Sequence, residues 1–199
     1  MLHDVVMLAT ILKSKKRCSW VGNDLPMQQY HDEEWGVPTY DDLRAFEFLV
    51  LESAQAGLSW RTVLHKRENY RKAFANFDPQ RVSRFSSRDV ARLLKNSGII
   101  RNNAKINAAI NNAHRFVEVQ EEFDSFTAYS WGFVHNEPIR HSIRGIADYP
   151  TISAESVAFA ADLKNRGFKF LGPTIMYAHM QAVGMVNDHM IGCFRRTRV

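Results

Sequence analysis

The feature that most narrows the fold of this chain is the spacing of its apolar residues. They recur every three or four positions along most of its length, and no run alternates apolar with polar for long enough to compete as a strand. Leu43, Phe46, Leu49, Val50, Ser53 and Gly57 fall on one side of a helix opened by Asp41 or Asp42 and ended near Gly57. Ser86 and Ser87 offer caps for DVARLLKNSG, whose Val90, Leu93 and Leu94 form an apolar stripe and whose Gly98 can supply a left-handed stop. The turn SGIIRNN comes next, and AKINAAINNAHRFVEV then places Ile106, Ile110, Ala113 and Val117 on one stripe. Residues 86–118 therefore read as helix, short glycine-bearing hairpin, helix. Further helices are expected over 125–135, between a Ser153 cap and a Gly167 stop, and over PTIMYAHMQAVG with Pro173 in the first turn.

The chain is expected to be all-α and compact. Its 199 residues suffice for one well-formed core, and no repeat, low-complexity tract or long linker divides it. Residues 1–17 read as a loosely attached extension, with residues 18–199 as a single domain. The apolar run VVMLATIL precedes its charges and is too short to span a bilayer, unlike a secretory signal, so a cytoplasmic protein with no membrane partner is expected. A formal net charge of +5 suits a polyanionic partner without proving one.

Within the helix at 41–57 one residue is out of place. Glu52 sits among Phe48, Leu49, Val50 and Leu51. An unpaired buried carboxylate is costly, so such a residue is solvated, paired, or kept because its altered acidity is used.

Only two cysteines occur, Cys18 and Cys193, which excludes a four-cysteine iron–sulfur cluster. Cys18 is followed by His31, and His189 by Cys193 at i, i+4, a spacing with which one helical face would present both. Two thiolates and two imidazoles make a tetrahedral zinc set. The spacing alone leaves open a Cys18–Cys193 disulfide, or two buried thiols beside unrelated histidines.

The blocks RCSW (17–20), YHDEEWGVP (30–38), LESAQAGLSWRTVLHKRENYRKAFANFDP (51–79), SGIIRNNAKINAAINNA (97–113), RGFKFLG (166–172) and MQAVGMVNDHMIGC (180–193) together resemble the DNA-3-methyladenine glycosylase I family. The resemblance covers about residues 17–193. It implies an all-α helix-hairpin-helix glycosylase fold, with one structural zinc ion on Cys18, His31, His189 and Cys193 joining the N- and C-terminal segments. It also implies that Glu52, Tyr30 and Trp60 line the pocket for a flipped base, with Trp35 beside them, and that Glu52 and Tyr30 serve catalysis. Pro173 departs from the pattern, standing where a hydroxyl residue is expected.

The resemblance thus implies an enzyme of base excision repair, and because the helix NNAKINAAINNA after the hairpin holds no aspartate and Lys105 is better placed for a phosphate, a monofunctional one without lyase action is expected. It would flip 3-methyladenine out of alkylated double-stranded DNA and hydrolyse the N-glycosidic bond, acting as a monomer. The hairpin at Gly98, with Arg101 and Lys105 nearby, is expected to meet a phosphate. The competing readings are a zinc-stapled protein that binds lesions without cutting, and a glycosylase shifted to another alkylpurine.

Overall fold

Caps and helices form together where the polar starts were expected. The computed structural model describes residues 15–199. Helix α1 (Leu25–Glu33) begins on Asp24, whose carboxylate accepts from Met27 N at 3.1 Å. Helix α2 (Asp42–Gln55) begins on Asp41, which accepts from Leu43 N at 2.9 Å. Three short helices come next: α3 (Trp60–Leu64) capped by Ser59, α4 (Arg67–Ala73), and α5 (Pro79–Val82) capped by Asp78. Helix α6 (Ser87–Lys95) starts at Ser86, whose backbone N donates to Asp89 Oδ2 at 2.9 Å, and α7 (Asn103–Phe123) starts at Asn102. Helix α8 (Phe126–Trp131) runs on into a 3-10 turn over Gly132–Val134. Ser153 caps α9 (Ala154–Asn165), and Pro173 opens α10 (Pro173–Ala182). The one departure from an all-helical chain among the described residues is a pair of two-residue parallel strands, β1 (Ile139–Arg140) and β2 (Val186–Asn187), in register Ile139 to Val186.

Helix α2 is the centre of the molecule, buried without a break from Ala45 to Ala54. Phe46 meets Phe116 of α7 edge-on at 5.2 Å, and Phe116 stacks on Phe126 of α8 at 4.2 Å. The start of α2 also fastens α8, because Asp42 accepts from the backbone N–H groups of Phe126 and Thr127, both at 2.9 Å. A negative charge is favoured at such a helix start.

Along one face of α2 runs a partly buried ion network centred on Glu47. Glu47 receives Arg67, Arg44 and Arg71 at 2.9, 2.9 and 2.6 Å, and Glu34 pairs with Arg67 and Arg44. Burial pushes the Glu47 carboxyl up, but the three guanidiniums outweigh it and hold the group below the usual carboxylate range. Arg44 and Arg67 also lie over the Phe48 ring at 5.2 and 5.6 Å, so the network backs the aromatic residues beyond it.

Three expectations are corrected. Gly98 is not among the positive-φ glycines and does not end α6 in the left-handed region. Its need is spatial, since a Cβ there would lie 2.9 Å from Asn69 Cβ and Cγ. His189 and Cys193 sit on the irregular segment after β2, either side of a turn at Ile191 and Gly192, rather than on a helix. Residues 15–17 are not loose: Arg17 makes a paired contact with Asp32 at 2.8 and 2.7 Å, and Lys16 O accepts from Phe194 N. The rest of the expected extension, residues 1–14, lies outside the described residues.

Gly184, between α10 and β2, has φ +77°, and a Cβ there would come within 2.2 Å of the Val37 and Pro38 backbone. Gly184→Ala is therefore expected to cost at least about 3 kcal/mol, because the obstacle is main chain that cannot turn aside. Chemical denaturation would measure it, and a change below about 1 kcal/mol would contradict this packing.

Candidate active site and metal centre

Helix α1 presents two consecutive side chains to two different centres, Tyr30 and His31. Tyr30 faces a cavity of about 330 Å³ whose walls are mainly aromatic: Trp20, Trp35, Trp60 and Tyr149 join it there. That volume is at the small end for ligand sites, roughly 300–1,000 Å³, and suits one base better than a stretch of chain. Trp60, the first residue of α3, sets its ring 5.1 Å from Tyr30, and Phe48 stands behind both. On the other side Trp20 and Trp35 meet edge-on at 5.0 Å.

Glu52 and Gln55 of α2 also line this cavity. Glu52 is 4% exposed, and no hydrogen-bond donor reaches it among the described residues. Burial alone pushes its carboxyl up to about 8. Tyr30 is raised well above the ordinary phenol range, first by burial and then by the Glu52 charge. A carboxyl held in this way is mostly protonated near neutral pH, and a cation beside it favours its ionised form.

The second centre gathers Cys18, His31, His189 and Cys193, all buried, with ligand atoms within 4.8 Å of one another. Cys18 Sγ to His189 Nδ1 is 3.7 Å, Cys193 Sγ to His189 Nδ1 is 3.5 Å, and Cys193 Sγ to His31 Nε2 is 3.4 Å. Zinc–sulfur and zinc–nitrogen bonds at a tetrahedral angle predict a donor separation of about 3.6 Å, so the set fits one zinc ion. Without a shared cation two thiols this close cannot ionise alike. Cys193 is drawn down by the hydrogen bond from Cys18, and Cys18 is pushed well up by the same contact and by burial.

Both imidazoles are aimed by their far nitrogens. His31 Nδ1 donates to Asp32 at 2.9 Å, and Asp32 is held in turn by Arg17. His189 Nε2 donates to the Trp35 carbonyl at 3.0 Å. Such contacts set the ring orientation and turn the other nitrogen towards the two sulfurs, where a metal would sit. The centre also stands directly behind the cavity wall, with the Trp35 ring 4.7 Å from His189 and the Trp20 ring 5.4 Å from His31.

The four expected pocket residues, Tyr30, Trp35, Glu52 and Trp60, thus converge, and so do the four expected ligands. The hairpin residues do not join them. Gly98 N donates to Asn96 Oδ1, and Ile100 N donates to Tyr70 Oη. Arg101 is exposed at the turn. Lys105, expected beside a phosphate, gives its ammonium to the Ala54 and Ala56 carbonyls at 2.9 and 2.7 Å, tying α7 to the end of the helix that carries Glu52. Trp20, Tyr149 and Gln181 line the cavity although sequence reasoning does not single them out. Trp20 and Gln181 lie inside the family-like blocks, but only a tertiary contact marks them, and Tyr149 lies in the irregular segment 136–150. Pro173 opens α10 away from the cavity lining, so the departure there leaves the pocket wall untouched.

The Methyladenine glycosylase family matches residues 20–196. The chain is 46% identical over 178 residues to DNA-3-methyladenine glycosylase 1 of Escherichia coli (strain K12), covering 89% of this chain and 95% of that one. It superposes on a crystal structure of 3-methyladenine DNA glycosylase I with a TM-score of 0.87 and 49% identity, over 90% of this chain and 98% of that one. A Staphylococcus aureus 3-methyladenine DNA glycosylase I, described for its recognition of 3-methyladenine, superposes with a TM-score of 0.87 at 33% identity, over 90% of this chain and 96% of that one.

Proposed function

This chain belongs to the methyladenine glycosylase family, and on that premise we propose that it excises 3-methyladenine from alkylated double-stranded DNA by hydrolysing the N-glycosidic bond. The observation that carries the reading is Glu52, a buried carboxylate without a donor in an aromatic cavity that suits one base.

Alkylation at N3 makes adenine cationic within the nucleotide, so its bond to C1′ is already weakened. The task is selection. The nucleotide is extruded from the duplex, which costs a few kcal/mol and less for a damaged base. Inside, the cation lies against the Trp60 indole, whose face attracts it by about 0.5–2 kcal/mol more than a neutral ring. Its charge favours the ionised carboxylate, so Glu52 gives up its proton to solvent water and then accepts a charge-assisted hydrogen bond from the base. A neutral adenine supplies no such charge, so near neutral pH Glu52 stays mostly protonated and offers it only a weaker, neutral hydrogen bond. Tyr30 adds a phenol at the base edge.

As the C1′–N9 bond breaks, its electron pair neutralises the base. A water oxygen bonds to the developing oxocarbenium carbon and releases a proton. The reading is monofunctional, because Lys105 commits its ammonium to two carbonyls at the end of α2 rather than to attack at C1′. We assign phosphate contact to Arg101 and the hairpin turn around Gly98. We further propose that the protein works as a monomer in the cytoplasm. Among the described residues no helix is long and apolar enough to cross a membrane.

The experiment is product analysis on methylated DNA. The wild type is expected to release 3-methyladenine, and Trp60→Ala to do so about 10- to 30-fold more slowly through loss of stacking. Tight binding of methylated DNA without release of any base would instead identify a lesion-binding protein.

A further inference from the structure

Asp188 is fully buried, yet three donors converge on it. Gln181 Nε2 and Tyr177 Oη each lie 2.7 Å from Oδ2, and His141 Nδ1 lies 2.7 Å from Oδ1. A carboxylate only accepts, so the Gln181 amide has one orientation, with its nitrogen on Asp188 and its oxygen on the other side. Gln181 is half-buried on α10 and lines the base cavity, and no donor reaches its Oε1 among the described residues. The cavity therefore offers its occupant two acceptors, Glu52 from α2 and Gln181 Oε1 from α10.

We propose that Gln181, held by Asp188, is a specificity-determining residue that accepts a hydrogen bond from the exocyclic amine of the flipped base and so separates 6-amino from 6-oxo alkylpurines. This rests on the glycosylase reading above. In N3-alkylated adenine the positive charge is shared with that amine, which makes it a strong donor. In N3-alkylated guanine the same position carries a carbonyl oxygen, and acceptor meets acceptor. Sites built around a fixed polar partner discriminate more sharply than apolar walls, because the mismatched ligand leaves buried groups unpaired. The fixing matters as much as the amide itself. A glutamine free to turn would offer nitrogen to one base and oxygen to the other, and Asp188 removes that freedom.

The test is single-turnover release of 3-methyladenine and 3-methylguanine from methylated DNA, with zinc content and unfolding midpoint recorded for each variant. Gln181→Leu is expected to slow 3-methyladenine release about tenfold while changing 3-methylguanine release by less than about twofold, at unchanged zinc content and with the midpoint lowered by no more than roughly 10 °C through the donor lost to Asp188. Asp188→Asn, which lets the amide turn, is expected to lower the ratio of 3-methyladenine release to 3-methylguanine release. Because Asp188 adjoins a metal ligand, Gln181→Leu decides if Asp188→Asn fails to fold. Equal slowing on both bases, or none, would overturn the role given to Gln181. Release of neither base by the wild type would overturn the glycosylase reading itself.

Discussion

Stripping the metal, or replacing Cys193 by Ser, is expected to lower the unfolding midpoint by more than about 20 °C and to abolish base release. The four ligands come from opposite ends of the chain, Cys18 and His189 being 171 positions apart. The unfolded chain therefore has no preformed site, and the free energy of binding becomes free energy of folding, on the order of 10 kcal/mol for structural zinc. For a domain of this size each kcal/mol corresponds to roughly 2–4 °C. Loss of activity should accompany loss of stability, since Trp35 is packed on His189 and its carbonyl holds that ring. Metal analysis should find one zinc per chain in the wild type, and thermal unfolding with and without a strong chelator gives the shift. A chain that stays within about 3 °C of its midpoint after losing the metal would contradict the structural role.

Glu52→Gln is expected to lower release of 3-methyladenine on the order of 100-fold while making the protein more stable. The first effect is loss of a charge-assisted contact to a cation, about 1.5–3 kcal/mol. The second comes from linkage. Burial lifts the Glu52 carboxyl from 4.5 to about 8, so between those values the folded protein binds more protons than the unfolded chain. Stability conferred by that proton is fully present below about pH 4.5 and is lost as the pH rises through about 8. Gln at this position has no proton to lose, so its advantage should be negligible at pH 4.5 and should grow to on the order of 4 kcal/mol above pH 8. Wild-type kcat/KM should rise with pH and level off near 8 when the free enzyme must surrender the proton, and the Gln variant should lack that rise. Equal stabilities of the two proteins at pH 9 would rule out an unpaired, buried Glu52.

Much of the fold is readable in the sequence because its signals are local. Ser86, Ser153 and Pro173 mark helix starts through groups a few positions away, and the structure keeps each of them. Glu52 is conspicuous for the same reason, as an acid in an apolar helix. What escapes depends on distant partners. Gly98 reads as a helix stop, whereas Asn69 from another helix is what demands a glycine. Lys105 reads as a free cation near the hairpin because nothing in its own helix reveals that the carbonyls ending α2 lie within reach. The i, i+4 spacing of His189 and Cys193 suggests a helix, but a turn with Gly192 at φ +85° brings the same two atoms together. Gln181 becomes visible as a site residue only once Asp188 is placed where it fixes the amide.

Tyr30 and His31 are neighbours in sequence, and so are Asp188 and His189. In each pair one residue serves the metal and the other serves the cavity, directly or through Gln181. One fixed point thus calibrates both the fold and the reading of the base. This governs how the molecule fails. A chain that loses its metal is expected to lose the alignment of Tyr30, Trp35 and Gln181 at once, and with it the proposed seat for the base. Such a chain would err by silence, leaving lesions unrepaired rather than stripping sound purines from DNA.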